Sequence, residues 1–247
     1  MKNQAFRQRL RQTTLIIMLL SFPVIMNYLS PYIILDGASQ GIINGSFIIF
    51  TLMFLSALFI GRLWCGWACP DGGLAEVCFV INNKPVNGKK IDWIKWLIWI
   101  PWVGIITYLA VSAGGYSKVN FFHLTENVVS LVHPMMYIIY YIVIGAFMAL
   151  AVIGGRRAGC HAICWMAPFM ILGRKVRNLF RLPALRLVVT PENCIDCKKC
   201  TRTCPMSLDV NSMVRAGQME HSECILCGSC VDTCPQKVIR FSFSSGK

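Results

Sequence analysis

Charged residues are scarce in this sequence, and acidic residues are the scarcest of all. Asp, Glu, Lys and Arg make up 14% of the 247 residues, whereas an ordinary soluble domain contains about 25%. Hydrophobic residues make up 55%, and the mean hydropathy is +0.56. This composition excludes an ordinary soluble domain, a disordered chain and a fibrous protein. The sequence also lacks a Walker A motif, a G-x-G-x-x-G motif and a nucleophile–histidine–acid set, so none of these classes is indicated.

The few charges are unevenly distributed along the chain. Residues 1–188 contain 17 Lys/Arg and 5 Asp/Glu, whereas residues 189–247 contain 7 and 6. The apolar part therefore carries a net charge of +12 and the tail a net charge of +1. We predict two domains, 1–188 and 189–247, which are joined by a basic linker around Arg181 and Arg186.

Long stretches without charged residues predict membrane-spanning helices. A span needs about 20 apolar residues, because each residue rises about 1.5 Å through about 30 Å of hydrocarbon. The charge-free stretches cover residues 12–35, 37–61, 96–117, 127–155 and 158–173. The first four are long enough, which predicts a membrane α-helical bundle of four transmembrane helices. The first is interpreted as a retained helix because no signal-peptide cleavage site is apparent, and the short fifth as a re-entrant or interfacial segment.

Basic residues predict the orientation of these spans. They cluster at the N-terminus, after the second stretch and after the fourth, whereas the connections around Asp36 and Lys118 carry none and one. Because Lys and Arg collect on the cytoplasmic side, both termini are predicted to be cytoplasmic. The protein is then a multi-pass protein of a prokaryotic cytoplasmic membrane. Membrane topology accounts for the positive charge, so lipid is an expected partner and nucleic acid is not.

The tail contains the most specific motif in the chain. Residues 194–205 and 224–235 both read C-x2-C-x2-C-x3-C-P, at a period of 30 residues. In this motif three closely spaced thiolates bind one [4Fe–4S] cluster, and the fourth binds the other cluster. The predicted ligands are Cys194, Cys197, Cys200 and Cys234 for one cluster, and Cys224, Cys227, Cys230 and Cys204 for the second.

Zinc and disulfides are the alternative uses of these cysteines. A zinc site needs only four ligands, and disulfides are rare in the cytoplasm, so both are disfavoured. A short helix is predicted near Val210–Ala216, between the two motifs. The tail resembles a bacterial-type two-cluster ferredoxin domain, which implies a small C-terminal α+β unit.

Two further cysteine pairs follow the second and the fourth charge-free stretches. Cys65 and Cys69 form one C-x3-C motif, Cys160 and Cys164 form the other, and equivalent cysteines are 95 residues apart. Each unit thus has two spans, a basic edge and a C-x3-C motif. This pattern indicates a two-fold internal repeat of parallel topology, with all four cysteines at the cytoplasmic face.

Three roles remain open for the four C-x3-C cysteines. They could bind an additional iron–sulfur cluster or another metal, since thiolates are soft ligands. They could form redox-active dithiols, or they could be buried structural thiols. Arg62 and Arg157 lie three residues before the first cysteine of each pair, so lowered thiol pKa values are expected. His161, inside the second motif, is a candidate to assist a metal site.

These features together resemble the NapH/MauN-type membrane ferredoxins, whose core also occurs in NosR-type and CcoG-type proteins. The resemblance extends over essentially the whole chain and is most specific in the two ferredoxin motifs and in G-R-L-W-C-G-W-A-C-P at residues 61–70. It implies a membrane electron-transfer component that often links the quinone pool to a partner redox enzyme. The second pair departs from the family pattern, because Trp165 rather than proline follows Cys164.

We therefore expect a membrane-anchored protein that passes single electrons between the ferredoxin domain and a redox site at the C-x3-C pairs. Quinone and a redox partner protein are the expected partners, and a quinol dehydrogenase subunit is one form that the protein could take. The CcoG-type resemblance indicates an alternative, a metalloenzyme assembly factor that reduces or delivers a metal such as copper. A membrane redox sensor is a third hypothesis, for which the sequence shows no output domain.

Overall fold

The computed structural model describes residues 2–125, 128–131 and 134–245, with the backbone alone for residues 2–5 and Lys89. The α-helices are α1 (Lys2–Leu20), α2 (Phe22–Ile25), α3 (Pro31–Ser39), α4 (Gly45–Ile60), α5 (Leu63–Trp67), α6 (Pro70–Val77), α7 (Gly88–Ile91), α8 (Ile94–Ser112), α9 (Pro134–Gly154), α10 (Ala158–Ala162), α11 (Ala167–Leu179), α12 (Lys199–Arg202), α13 (Val210–Arg215) and α14 (Ser229–Thr233). The strands are β1 (Ile42–Asn44), β2 (Lys118–Asn120), β3 (Ala184–Val189) and β4 (Ile239–Ser244), and short 3₁₀ turns cover Met26–Leu29, Cys78–Val80 and Pro191–Asn193.

Two helices of the described chain, α8 and α9, are long and apolar enough to cross a membrane. Helix α1 and the segment after it form a third candidate only as a bent pair, with a bend of 58°. Helix α4 is apolar but has only 16 residues, which extend about 24 Å at about 1.5 Å per residue. The first two charge-free stretches are therefore not single helices of span length, contrary to the sequence prediction.

Prolines explain the breaks in the first charge-free stretch. Pro23 lies in the first turn of α2 and Pro31 in the first turn of α3, where a missing N–H is tolerated best. Ser30, which precedes Pro31, is extended with ψ 126°, the conformation that a following proline favours. The length of a charge-free stretch does not reveal such breaks, so the sequence predicted one helix where the structure has α1, α2 and α3.

The apolar helices extend between two ends of the molecule. At one end, the tail contacts α1 through Arg7 and Asp232, and it contacts the start of α8 through Lys95 and Glu223. At the opposite end, β1 pairs in parallel with β2, and the turn Met26–Leu29 is bonded to the loop that precedes α9. The fifth charge-free stretch forms α10 and the start of α11, and α11 packs along α4.

The tail forms a small α+β unit that begins earlier than the sequence predicted. Strands β3 and β4 are antiparallel, from the pair Ala184 and Ser244 to the pair Val189 and Ile239. The segment before residue 189, assigned to a linker from the sequence, is therefore part of this unit. The buried residues of β3 are Ala184 and Leu187, which lie three positions apart. The two-residue alternation that identifies a strand in a sequence is therefore missing. The predicted helix between the cysteine motifs is confirmed as α13.

One continuous hydrophobic core joins the helical part and the tail. It includes Phe50 and Met53 of α4, Met170 and Ile171 of α11, and Ile225 of the tail. The tail is therefore packed onto the helices through buried side chains. This packing brings its cysteine motifs next to the C-x3-C motifs.

Candidate metal centres

The eight cysteines of the tail line two separate pockets. Cys194, Cys197, Cys200 and Cys234 line one pocket of about 330 Å³. The other pocket, of about 410 Å³, is lined by Cys204, Cys224, Cys227 and Cys230. The structure thus places the fourth cysteine of each motif with the first three of the other motif, the arrangement that the spacing predicts for two clusters. We call the first pocket the outer pocket and the second the inner pocket.

Local backbone conformation lets each motif wrap around its pocket. Asp196, Lys198 and Leu226 have positive φ between 51° and 55°, and Gly228 has φ 79°, the left-handed region that is rare for residues other than glycine. Each motif then enters a one-turn helix, α12 or α14, that carries its third cysteine. The chain therefore turns tightly enough for three cysteines to face one point.

The donors in these pockets suit an iron–sulfur cluster. Besides cysteine, the inner pocket is lined by apolar residues such as Met206, Ile225 and Leu226. All 13 cysteines lie in the described chain as free thiols. Burial raises the pKa of Cys204 to about 12, so its thiolate needs the positive charge of a metal to form at neutral pH. A cluster bound here would supply one-electron transfer at a potential that the surrounding hydrogen bonds and charges set.

The two C-x3-C motifs adopt closely similar local structures. Cys65 is the third residue of the one-turn helix α5, and Cys160 is the third residue of the one-turn helix α10. Arg62 and Arg157 occupy the N-cap positions of these helices. Cys69 caps α6, which begins with proline, whereas the second motif has Pro168 one position inside α11.

The structure brings the four C-x3-C cysteines together in the core. Their exposed fractions are 4–7%, and their thiols are near enough for their charges to interact. The Cys65 Sγ lies 3.9 Å from the Met170 Sδ. Cys78, in contrast, packs against Ala75 and Ala151 in a separate cluster.

The expected lowering of the thiol pKa values is wrong for three of these cysteines. Burial raises the pKa of Cys160 to about 11, although the guanidinium of Arg157 acts in the opposite direction. Burial and the neighbouring thiols also raise the pKa values of Cys164 and Cys69. The desolvation of a buried thiolate outweighs the nearby arginine charge, and the sequence does not reveal burial of this degree.

Both arginines beside the thiols are fully buried and form ion pairs. Arg157 donates from Nη1 to the Cys65 carbonyl oxygen at 2.7 Å and from Nη2 to the Glu76 Oε1 at 2.5 Å. Glu76 also accepts from Arg11 at 2.7 Å. Arg62 donates to the Glu223 Oε2 at 2.7 Å. Arg157 is therefore paired with a residue of the helical part, whereas Arg62 is paired with Glu223 of the tail.

Glu223 joins a buried group of charges between the tail and the helices. The Lys95 Nζ lies 2.7 Å from the Glu223 Oε1 and 3.4 Å from the Asp92 Oδ1. Burial alone would raise the pKa of Glu223, but the charges of Arg62 and Lys95 outweigh it and lower the pKa to about 2. No sequence pattern indicates this group, because its members come from distant positions.

His161 belongs to this charged group rather than to the thiol site. Its Nδ1 lies 2.6 Å from the Asp92 Oδ1, and its buried Nε2 has no partner among the described residues. Asp92, His161 and Glu223 place ligand atoms within 4.8 Å of one another. The ammonium of Lys95 already lies against both carboxylates, which disfavours a metal ion there.

The loop of the second tail motif lies directly on the first C-x3-C motif. A β-carbon on Gly66 would clash with the carbonyl oxygen of Ile225. The Trp67 Nε1 donates to the Leu226 carbonyl oxygen at 3.3 Å. Arg174 of α11 donates to the Cys224 carbonyl oxygen at 2.8 Å. The inner pocket is therefore the one beside the C-x3-C thiols.

Two apolar pockets flank α4 in the helical part. One has a volume of about 810 Å³ and is lined by Ile49, Leu52, Met53, Ser56, Ile60, Leu63, Trp64, Trp67 and Ala68. The other has a volume of about 840 Å³ and includes Trp99, Trp102 and Phe169. The Nε1 atoms of Trp64 and Trp99 are buried without a partner among the described residues. Trp64 and Trp99 therefore contribute apolar ring surface to the two pockets, while their Nε1 atoms are buried.

Comparisons with known proteins identify iron–sulfur regions in both parts of the chain. Residues 186–235 match the family described as a 4Fe-4S dicluster domain. Residues 45–86, which include α4 and the first C-x3-C motif, match the family described as a 4Fe-4S binding domain.

The chain is also similar to two uncharacterized proteins of Methanocaldococcus jannaschii. It is 24% identical to MJ0750 over 164 residues, which cover 62% of this chain and 62% of that protein. It is 23% identical to MJ0749 over 204 residues, which cover 76% of this chain and 71% of that protein. The match thus spans less than two thirds of the length of MJ0750. No solved structure matches. The chain is an iron–sulfur protein of the ferredoxin type and carries two [4Fe–4S] clusters.

Proposed function

We propose that the chain is a membrane-anchored electron-transfer protein of the NapH/MauN type. It passes single electrons between quinol in the membrane, the C-x3-C thiols and the ferredoxin-like tail. The direct contact between Gly66 and the Ile225 backbone carries this proposal. This contact leaves no room for a side chain at position 66 between the C-x3-C motif and the loop that holds Cys224 and Cys227.

The ends of the helices support an arrangement with four membrane crossings. Chain segments 7–28, 45–61, 95–113 and 134–154 each connect the end that contacts the tail with the opposite end. The bent α1–α2 segment and the short α4 then serve as the first two crossings. With the basic ends beside the tail, both termini lie in the cytoplasm of a prokaryotic cell. The matching positions of Cys65 and Cys160 in α5 and α10 favour a two-fold repeat.

The C-x3-C thiols form an additional redox site in this proposal. A single metal ion with sulfur ligands at about 2.3 Å would hold the sulfurs about 3.8 Å apart. In the described chain only Asp92, His161 and Glu223 place three such ligand atoms within 4.8 Å of one another, so the thiols are spaced more widely. This spacing disfavours a single metal ion, and the iron–sulfur family match over residues 45–86 supports a cluster.

Arg62 and Arg157 would compensate the negative charge of this site. Both guanidinium groups are fully buried, and each lies near enough to two of the thiols to interact with their charges. A buried cation stabilises a neighbouring anion far more strongly than an exposed cation does, because little water screens the pair. The two arginines therefore favour the thiolate form and the more negative, reduced state of the site.

The pocket beside Trp64 is the site that we propose for quinol. Trp64 and Ala68 flank Cys65 and Cys69, so the pocket lies against the thiol site. The apolar wall, which includes the ring of Trp64, would hold the quinone ring. Oxidation of one quinol would release two electrons, one for each of the two [4Fe–4S] clusters that the tail cysteines would hold, and two protons, which would pass to water.

Reduction of the clusters by quinol tests this function. Purified protein in lipid nanodiscs is mixed anaerobically with a short-chain quinol, and the cluster absorbance is followed against full reduction by dithionite. Trp64→Ala should raise the quinol KM about 3–10-fold, as expected when about 1 kcal/mol of apolar contact with the ring is lost. Trp99→Ala, in the other pocket, is the matched control and should leave the KM unchanged. Clusters that dithionite reduces and quinol does not would overturn the proposal.

A further inference from the structure

Half of the acidic residues of the tail are paired with the helical part. Residues 189–247 contain six acidic residues, and three of them, Glu220, Glu223 and Asp232, form ion pairs with arginines or Lys95 of residues 1–188. The other three acids are outnumbered by six exposed basic residues in the described part of the tail. The tail is almost neutral overall, but its outward side is basic because half of its acids are turned inward.

Four of the basic residues surround the outer pocket. Lys198 lines the pocket, and Lys199 lies between Lys198 and Cys200. The Arg202 Nη2 donates to the Cys197 carbonyl oxygen at 3.1 Å. Lys237 follows the second motif, and its amide donates to the Cys234 carbonyl oxygen at 3.3 Å. All four side chains are exposed, and we call them the basic rim.

The acids near this rim are held by local hydrogen bonds. Asp196 accepts from the Asn211 Nδ2 at 2.5 Å. Asp209 caps α13 and accepts from the Ser212 amide at 3.2 Å. Glu192 is exposed. The four cations of the rim outnumber the three acids near it, Glu192, Asp196 and Asp209, so basic side chains predominate at this surface.

A protein can reach the outer pocket but not the inner one. Cys194, Cys197 and Cys234 are partly exposed, and Ile195 between them is 59% exposed. The loop of the inner pocket is covered by Gly66 and Trp67 of α5. In the same loop, the Cys227 carbonyl oxygen accepts a hydrogen bond from the Gln8 side chain of α1. An electron carrier in solution would therefore approach the outer pocket.

We infer that the basic rim is the docking surface for an acidic electron-carrier protein whose redox centre lies near its surface. This inference rests on the proposed function, because it supplies the second terminus of the same electron path. Docking exchanges one electron and no atoms, so the carrier is oxidised or reduced by one electron. Complementary charge around an exposed redox centre raises the rate of encounter and fixes the orientation of the two proteins.

Carbodiimide cross-linking with a purified acidic flavodoxin tests the surface without relying on electron transfer. The full-length protein with both clusters is placed in nanodiscs of neutral lipid. Zero-length cross-links to flavodoxin carboxylates should map to Lys198, Lys199 and Lys237. Lys198→Glu/Lys199→Glu should weaken flavodoxin binding at least about tenfold at low salt, and about 1 M salt should remove the difference, because the Debye length is then about 3 Å.

A matched variant changes the same charge elsewhere on the cytoplasmic side. Arg9→Glu/Arg181→Glu reverses two exposed basic residues outside the tail and should bind flavodoxin as the wild type does. A basic cytochrome c should not bind the wild-type protein. Equal weakening in both double variants, or cross-links away from the rim, would overturn the inference.

Lipid is the other anionic surface that a basic rim could meet. Nanodiscs with anionic lipid should leave flavodoxin binding within about twofold of its value in neutral nanodiscs if the rim faces the cytoplasm. Loss of binding in anionic nanodiscs would assign the rim to the membrane and overturn the inference. Quinol reduction of the clusters in the Lys198→Glu/Lys199→Glu variant shows separately whether the proposed function holds.

Discussion

Gly66 and Ile225 are in direct backbone contact, although 159 positions of sequence separate them. A β-carbon on Gly66 would overlap the carbonyl oxygen of Ile225. Gly66 lies between the cysteines of the first C-x3-C motif, and Ile225 lies between the first two cysteines of the second tail motif. The contact fixes the distance between the C-x3-C thiols and the inner pocket.

Gly66→Ala should separate these two motifs. The added methyl group forces the loop at Ile225 to move, and overpacking of this kind costs about 1–3 kcal/mol. We expect reduced stability in urea unfolding and slower reduction of the clusters by quinol. Gly145→Ala is the control, because a β-carbon at Gly145 in α9 meets nothing within 4 Å. A Gly66→Ala protein with wild-type stability and rate would show that the contact is not essential.

Glu223→Gln should loosen the tail from the helices. The substitution leaves Arg62 buried without a counter-charge and leaves Lys95 with only Asp92 at 3.4 Å, although both side chains are at most 1% exposed. Removal of one partner of a buried ion pair costs about 3–5 kcal/mol. Limited proteolysis should then release the tail at protease concentrations that leave the wild type intact. Glu192→Gln, at an exposed position, should have no effect, and equal resistance of both variants would contradict the role of the ion pair.

Cys227→Ala should remove one cluster. Each [4Fe–4S] cluster contains four iron atoms, so loss of the cluster at the inner pocket should lower the iron content by about 4 atoms per chain. The folding energy of small metal domains comes largely from the metal, so the tail beyond residue 190 should become sensitive to protease. Iron analysis after anaerobic preparation measures the loss, with Cys78→Ala as the control that retains all iron. A fully loaded, protease-resistant Cys227→Ala protein would exclude this ligand assignment.

Glu76 should stabilise the fold in a pH-dependent manner. Burial alone would raise its pKa, but Arg157 and Arg11 outweigh burial and hold the pKa below the ordinary value of 4.5. A carboxyl group whose pKa is lowered by folding contributes its full stability above about pH 4.5 and loses it as the pH falls through the folded-state pKa. The stability difference between the wild type and Glu76→Gln should therefore be largest near neutral pH and should narrow in acid. A difference that is constant from pH 7 to pH 4 would contradict this role.

The sequence predicted the tail better than the helical part, for a physical reason. The cluster sets the spacing of the cysteines in each motif. The spacing alone therefore predicts which cysteines share a pocket. Helix α13 lies where the sequence predicted a helix, and the structure shows that Asp209 caps it. The breaks at Pro23 and Pro31 were not, because prolines are tolerated inside membrane helices and hydropathy alone does not distinguish a kink from a break.

Long-range contacts were beyond sequence reasoning altogether. The group of Arg62, Lys95 and Glu223 joins three distant segments, and its members look like ordinary charged residues at helix ends or in a loop. The raised thiol pKa of Cys160 follows from burial, which depends on how α10 packs. The sequence did identify the four C-x3-C cysteines as a set, because their repeat at 95 residues is visible without a structure.

Single-turnover reduction by quinol in a Cys65→Ser/Cys160→Ser variant tests the central claim most directly. The variant is prepared anaerobically in nanodiscs, and electron paramagnetic resonance after dithionite treatment first establishes that both tail clusters are present. The wild-type protein and the variant are then mixed with quinol, and the signal of the reduced clusters is followed over time. We predict that the wild-type clusters are reduced and that the variant, with the same two clusters, is reduced at least about 100-fold more slowly, as expected when a redox step loses its geometry. Reduction of the variant at the wild-type rate would contradict the claim that the C-x3-C thiols lie on the electron path.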